Sequence, residues 1–107
     1  MAIIAMLDLT FDPAKLDDAK VVLARVLTET RAFDGCQGVD VLVDADNEAH
    51  WIAYERWDSA EADAKYREFR AGEGKITDLG PLLAGAPALT KYTISSVGGS
   101  LKSDGGG

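Results

Sequence analysis

The sequence predicts an α+β fold, a ferredoxin-like β-α-β-β-α-β unit with a four-stranded antiparallel sheet. Three observations lead there. Four short segments alternate apolar and polar residues with a period of two, as strands do. Two longer segments repeat apolar residues at three- and four-residue steps, as amphipathic helices do. Their order, with a tight hairpin between the second and third strands, is that of a split βαβ unit.

The first strand is read over residues 2–11, where Ile3, Ala5, Leu7, Leu9 and Phe11 share one continuous apolar face and Ile4, Met6, Asp8 and Thr10 share the other. Asp12 and Pro13 then open a helix, the aspartate as N-cap and the proline at the first helical position. Leu16, Ala19, Leu23, Val26, Leu27, Thr30 and Phe33 form its apolar stripe. Asp17 and Asp18 stand in its first turns, where the helix dipole favours negative charge, and Gly35 ends it.

A second strand covers 36–44, with Val39, Val41 and Val43 on one side, and the turn at 44–47 is built of turn-tolerant residues. The third strand runs over 50–57. Trp51, Ala53, Glu55 and Trp57 share one of its faces, opposite His50, Ile52, Tyr54 and Arg56. Asp58 and Ser59 are both suited to cap a second helix over about 60–71 with Ala62, Tyr66 and Phe69 on one stripe. A short helical stretch over 75–83, interrupted by Gly80 and Pro81, precedes a last strand over 89–97. The domain therefore spans 1–97, and the Gly/Ser-rich run 98–107 reads as a flexible tail.

Composition narrows the function. The chain has 107 residues, one small domain, and 47% apolar against 27% charged residues places it among globular rather than disordered chains. Eleven Lys and Arg against eighteen Asp and Glu give a net charge of −7, which argues against nucleic acid and anionic membrane surfaces as partners. No apolar run approaches the roughly 20 residues of a membrane span, and no basic region precedes the apolar start, so a cytoplasmic protein is expected. With one cysteine, Cys36, and one histidine, His50, neither an intrachain disulfide nor a His/Cys zinc site is expected. The sheet face opposite the helices holds Ile4, Met6, Leu42, Ile52 and Tyr54. Such a face is too apolar to stay wet, so a second copy is expected to cover it, giving a homodimer.

The run Thr-Glu-Thr-Arg at 28–31, Gly35 with Cys36, Glu55-x-Trp57 and Ser59-x-Glu61-Ala62 come in the order and spacing of one family. In them the chain resembles the antibiotic biosynthesis monooxygenase (ABM) family of dimeric α+β barrels, over about residues 3–96. That resemblance implies a pocket within one subunit, between the sheet and its covering helices, into which the residue nine positions after Trp57 projects. Here it is Tyr66, where relatives often carry His or Trp. Some family members oxidise quinol-type aromatics with molecular oxygen and no cofactor, others degrade haem, and many have no assigned reaction. Haem degraders use an Asn where this chain has Leu7, and a His ligand near the position of Ile76, where there is none. Haem degradation is therefore not expected, and no cofactor or metal is.

Oxygenation without a cofactor needs an apolar slot for an aromatic ring and a polar group that takes a proton or stabilises an oxyanion. The candidate catalytic residues are Tyr66 and Glu55, with Trp57, Trp51, Phe69 and Leu7 as substrate-binding residues; His50 is a third possible polar handle. Each also has a plainer reading. Aromatics pack cores, a buried carboxylate is partnered, a histidine beside a turn is solvated, and Arg56 and Arg67 are surface charges. Two functions stay open: a cofactor-independent monooxygenase of a small aromatic diol, and a non-catalytic dimer that binds a small apolar ligand or only packs.

Overall fold

The computed structural model describes residues 1–97; the tail assigned to 98–107 lies outside the described residues. The elements are β1 (Ile3–Thr10), a 3₁₀ turn (Pro13–Lys15), α1 (Leu16–Ala32), β2 (Cys36–Asp44), β3 (Asn47–Trp57), α2 (Ala60–Ala71), a second 3₁₀ turn (Gly80–Leu82) and β4 (Ala88–Thr93). The sheet has the order β2-β3-β1-β4 with every pair antiparallel, the split βαβ topology.

The sequence patterns translate into caps and registers. The Asp12 carboxylate accepts from the Ala14 amide at 2.9 Å, but it caps the 3₁₀ turn that leads into α1 rather than α1 itself. Of the two cap candidates for α2, Ser59 fills the position, its hydroxyl accepting from the Ala62 amide at 3.1 Å. Asp44 faces Asn47 across the hairpin, so β3 starts earlier than the pattern of aromatics indicated. The helix expected over 75–83 is only the turn Gly80–Leu82, because Pro81 cannot donate and the stretch is too short to repay helix nucleation. β4 stops at Thr93, well before residue 97. Thr93 pairs with Ile3, the first residue of β1, so the chain beyond it has no strand to bond.

Gly35 shows why two of the family motifs occur together. It sits at φ 89°, and a Cβ there would lie 2.4 Å from the Ala62 Cβ. Its carbonyl accepts from the Asp58 amide at 2.8 Å, joining the start of β2 to the end of β3. Only glycine gives both the left-handed turn and room for α2.

The helices cover one face of the sheet and bury Ala5, Leu9 and Phe11 of β1 and its extension, and Trp51, Ala53, Glu55 and Trp57 of β3. This core forms two apolar clusters. The larger joins Leu9, Phe11 and Trp51 to the α1 stripe; the smaller holds Ala5, Trp57 and Tyr66, flanked by Phe33 and Phe69. On the other face Leu42 and Tyr92 are 46% and 49% exposed.

Candidate functional site

Where the two clusters meet, the helices leave a cavity of about 120 Å³ over the sheet. Its apolar wall is Leu7, Leu9 and Ala53 from the sheet, Leu23, Val26 and Leu27 from α1, and Ile76 and Leu79 from the segment after α2; Glu55, Tyr66, Arg67 and Arg70 supply the polar part. Strand alternation aims Leu7, Leu9, Ala53 and Glu55 inward together, since Leu7 pairs with Ala53 across β1 and β3. The four-residue helical step puts Tyr66 and Arg70 on one face of α2.

Glu55 is 2% exposed, and such a carboxylate must be partnered. Its Oε1 accepts from Trp57 Nε1 at 2.9 Å and from Arg67 Nη2. Arg67 also donates to Asp63 Oδ1 from Nε at 3.1 Å and from Nη2 at 3.0 Å. Lys91 of β4 stands 2.5 Å from the other oxygen of Asp63. Two carboxylates and two cations thus cancel in a cluster that ties α2 to β3 and β4. Glu55 Oε2 has no hydrogen-bond partner among the described residues. No buried side-chain polar atom there is left unpaired, so Oε2 keeps some accessible surface, and Glu55 is one of the residues that line the cavity.

Tyr66 is 3% exposed, and its hydroxyl lies 2.7 Å from Thr30 Oγ1. Directions follow from the partners. Thr30 Oγ1 is 3.0 Å from the Val26 carbonyl, which can only accept, so the threonine proton goes there and the tyrosine proton goes to Thr30. Arg70 Nε donates to the Tyr66 oxygen at 2.8 Å. Arg70 is held in turn by the Val26 and Gly74 carbonyls at 3.1 and 3.0 Å and by Glu29 at 3.0 Å. The Tyr66 hydroxyl proton is therefore committed to Thr30, and the ring forms part of the cavity wall.

The sequence-predicted residues divide accordingly. The cavity brings together Leu7, Glu55 and Tyr66, and leaves out Trp57, Trp51 and Phe69. Trp57 is wholly buried behind it, its ring 4.8 Å from that of Tyr66 and 6.1 Å from that of Phe33. Trp51 packs edge-on against Phe11 at 4.7 Å and lines an outer groove between α1 and β2. Phe69 lies along the outer side of α2 beside Phe33, Gly72 and Glu73. His50 stands on the opposite sheet face, with Nδ1 2.9 Å from Asp44 and Nε2 2.9 Å from Asp8. Carboxylates that only accept flank both ring nitrogens and favour the doubly protonated imidazole; its pKa is raised chiefly by the Asp44 hydrogen bond and then by that from Asp8. Burial pushes the Cys36 thiol up.

Sequence reasoning passed over Thr30, Asp63, Arg67, Arg70 and Lys91 as site residues. The pairs Asp63/Arg67 and Tyr66/Arg70, each four apart on α2, were the available signal. Among the described residues no group of three His, Cys, Asp or Glu side chains is placed to hold a metal ion, and no helix is long and apolar enough to cross a membrane.

A split βαβ domain with a partly open cavity between sheet and helices, walled by apolar side chains with a buried carboxylate, a tyrosine and two arginines, defines a class of small-molecule domain rather than a reaction. The model of the antibiotic biosynthesis monooxygenase family matches residues 2–73, and the chain belongs to that family. Similar solved structures include Rv0793 from Mycobacterium tuberculosis, at 24% identity over 89% of this chain and 96% of that one with a TM-score of 0.70. A conserved protein from Methanosarcina mazei is 16% identical over 86% and 91% with a TM-score of 0.77. A mutant of SnoaB, a cofactor-independent oxygenase from Streptomyces nogalater, is 16% identical over 87% and 92% with a TM-score of 0.74. At these identities the likeness is one of fold. Among curated proteins none matches significantly.

Proposed function

We propose that this chain is a cofactor-independent monooxygenase that oxidises a small aromatic diol or quinol with molecular oxygen inside the cavity. One observation carries the reading: a largely apolar, partly open cavity within a single subunit is lined by a buried carboxylate, Glu55, with one oxygen unpaired among the described residues. The substrate ring lies among Leu7, Ala53, Ile76 and Tyr66 while a ring hydroxyl passes its proton to Glu55. The resulting electron-rich anion reduces dioxygen. One oxygen atom ends on the ring and the other leaves as water, with all the electrons supplied by the substrate; hydroquinone would give hydroxybenzoquinone. Family membership and the fold shared with SnoaB support the same reading.

The volume sets the substrate class. About 120 Å³ lies below the roughly 300–1,000 Å³ usual for drug-sized ligands and near the ~150 Å³ that admits benzene, so a single ring fits. A non-catalytic ligand-binding domain is the second reading, favoured by this small volume and by the committed Tyr66 hydroxyl. Oxygen uptake with hydroquinone and catechol decides between them. Uptake well above the spontaneous rate is expected, and a rate equal to the spontaneous one across single-ring diols would overturn the enzyme reading. The working form is a homodimer in the cytoplasm, with the second copy over the open sheet face where Leu42 and Tyr92 are exposed. Sedimentation should give twice the chain mass, and Leu42→Glu should shift it toward the monomer.

A further inference from the structure

We infer that Arg67 and Glu55 together form a half-closed fork that receives one substrate hydroxyl, with Arg67 as the group that holds the phenolate. The inference rests on the proposed reaction and assigns to it a catalytic residue besides Glu55. A guanidinium and a carboxylate facing each other commonly make two parallel hydrogen bonds. Here only one is made, from Arg67 Nη2 to Glu55 Oε1. The remaining donors of Arg67 on Nε and Nη2 go to Asp63, which leaves Nη1 without a partner among the described residues. Glu55 Oε2 is the matching unmade half. Both residues line the cavity.

The open half offers a donor and an acceptor to the same guest. A hydroxyl satisfies both, accepting from Arg67 Nη1 and donating to Glu55 Oε2, whereas a carbonyl or an ether oxygen leaves the carboxylate unanswered. Proton transfer along the second bond keeps the site's charges matched. Before it the guanidinium faces the Glu55 carboxylate; after it Glu55 is neutral and the guanidinium faces the phenolate. No charge is left alone in an apolar cavity, where an unpaired ion is most unfavourable. Asp63, anchored by Lys91, grips the other edge of the guanidinium and fixes its plane. The fork therefore selects a ring with a free, acidic hydroxyl, and Asp63 and Lys91 act as positioning residues.

The probe is para-nitrophenol, a single ring whose phenolate is yellow and whose neutral form is not. At a pH just below its own titration midpoint, wild-type protein should bind it and turn it yellow. Arg67→Met, which keeps the aliphatic stem, should weaken binding by about tenfold or more and leave the bound probe colourless. Glu55→Gln keeps an acceptor for Trp57 and removes the competing anion, so the probe, its proton released to solvent, should stay bound to Arg67 as the yellow phenolate. A colourless bound probe in this variant would overturn Arg67 as the group that holds the phenolate. Arg67→Lys, checked for native circular dichroism, is the second variant if Arg67→Met fails to fold, and should restore only part of the colour because an ammonium has no fork. Wild-type colour in either folded Arg67 variant would overturn the proposal. Oxygen uptake separates the two levels of the argument. Uptake that persists undiminished in the Arg67 variants sinks the fork and leaves the oxygenase reading standing. Wild-type ionisation of the probe without oxygen uptake on any diol supports the fork and sinks the oxygenase reading.

Discussion

Arg70 Nε donates to the Tyr66 hydroxyl oxygen at 2.8 Å, at the head of a hydrogen-bond chain that ends on α1. From Tyr66 the chain passes to Thr30 and on to the Val26 carbonyl. Removing the phenol oxygen leaves Arg70 Nε unpaired in a half-closed space and frees one lone pair of Thr30. Tyr66→Phe should therefore destabilise the fold by about 1–3 kcal/mol, the usual effect of stranding a buried polar partner. Chemical denaturation measures it. Oxygen uptake should fall less than in Glu55→Gln, since the phenol proton serves Thr30 and the ring stays in the cavity wall.

Cavity volume is tested separately from polar chemistry. Ala53 is 2% exposed and lines the cavity on the sheet side. Ala53→Leu places three more carbons where the substrate ring is proposed to lie. Stability should change by less than about 1.5 kcal/mol, because the added carbons enter empty space rather than a packed neighbour. Ring binding and oxygen uptake should be lost. A variant that unfolds instead would show that the space is not open to a side chain, and calorimetry distinguishes the two outcomes.

The strands, both long helices and the inward face of β3 were legible in the sequence because each depends on local periodicity. Trp51, Ala53, Glu55 and Trp57 alternate with His50, Ile52, Tyr54 and Arg56, and burial follows that alternation. The ends of elements depend on tertiary partners and were not legible: β4 stops where β1 runs out of residues, and the stretch before it meets Pro81. The site was legible in part. Glu55, Tyr66 and Leu7 meet because period-two and period-four spacing converge on one layer. Trp57 shares the face of Glu55 but lies one strand pair further along, opposite Ile3 rather than Ala5, and so falls behind the cavity. The four-residue step on α2 hints at the Asp63–Arg67 pair, but Arg67 still reads as a surface charge until Glu55 is brought to its guanidinium, a relation between α2 and β3 that no one-dimensional pattern contains.

Gly35 gives a test of the fold alone. At φ 89° an alanine is strained by about 1–2 kcal/mol, and its Cβ would lie 2.4 Å from the Ala62 Cβ. Overpacking adds roughly 1–3 kcal/mol. Gly35→Ala should therefore destabilise the protein by at least about 2 kcal/mol in chemical denaturation. At Gly80 a Cβ meets nothing within 4 Å, and Gly80→Ala should leave stability within about 1 kcal/mol of wild type.

The pH dependence of stability should trace to His50, far from the cavity. Its pKa is raised from 6.5 in the fold, first by the Asp44 hydrogen bond and next by that from Asp8. A raised basic group contributes stability that is fully present below its unfolded value and is lost as pH rises through its folded value. The Asp44 carboxyl is lowered from 3.8, chiefly by His50, so its contribution is present above 3.8 and is lost as pH falls through the lowered value. The clamp is therefore strongest between those two ordinary values, 3.8 and 6.5. Urea denaturation at about pH 6 and about pH 8 should show wild type losing stability at the higher pH. His50→Gln, which can still bond one carboxylate but carries no charge, should lose markedly less over the same interval. Equal losses in the two proteins would place the titrating group elsewhere.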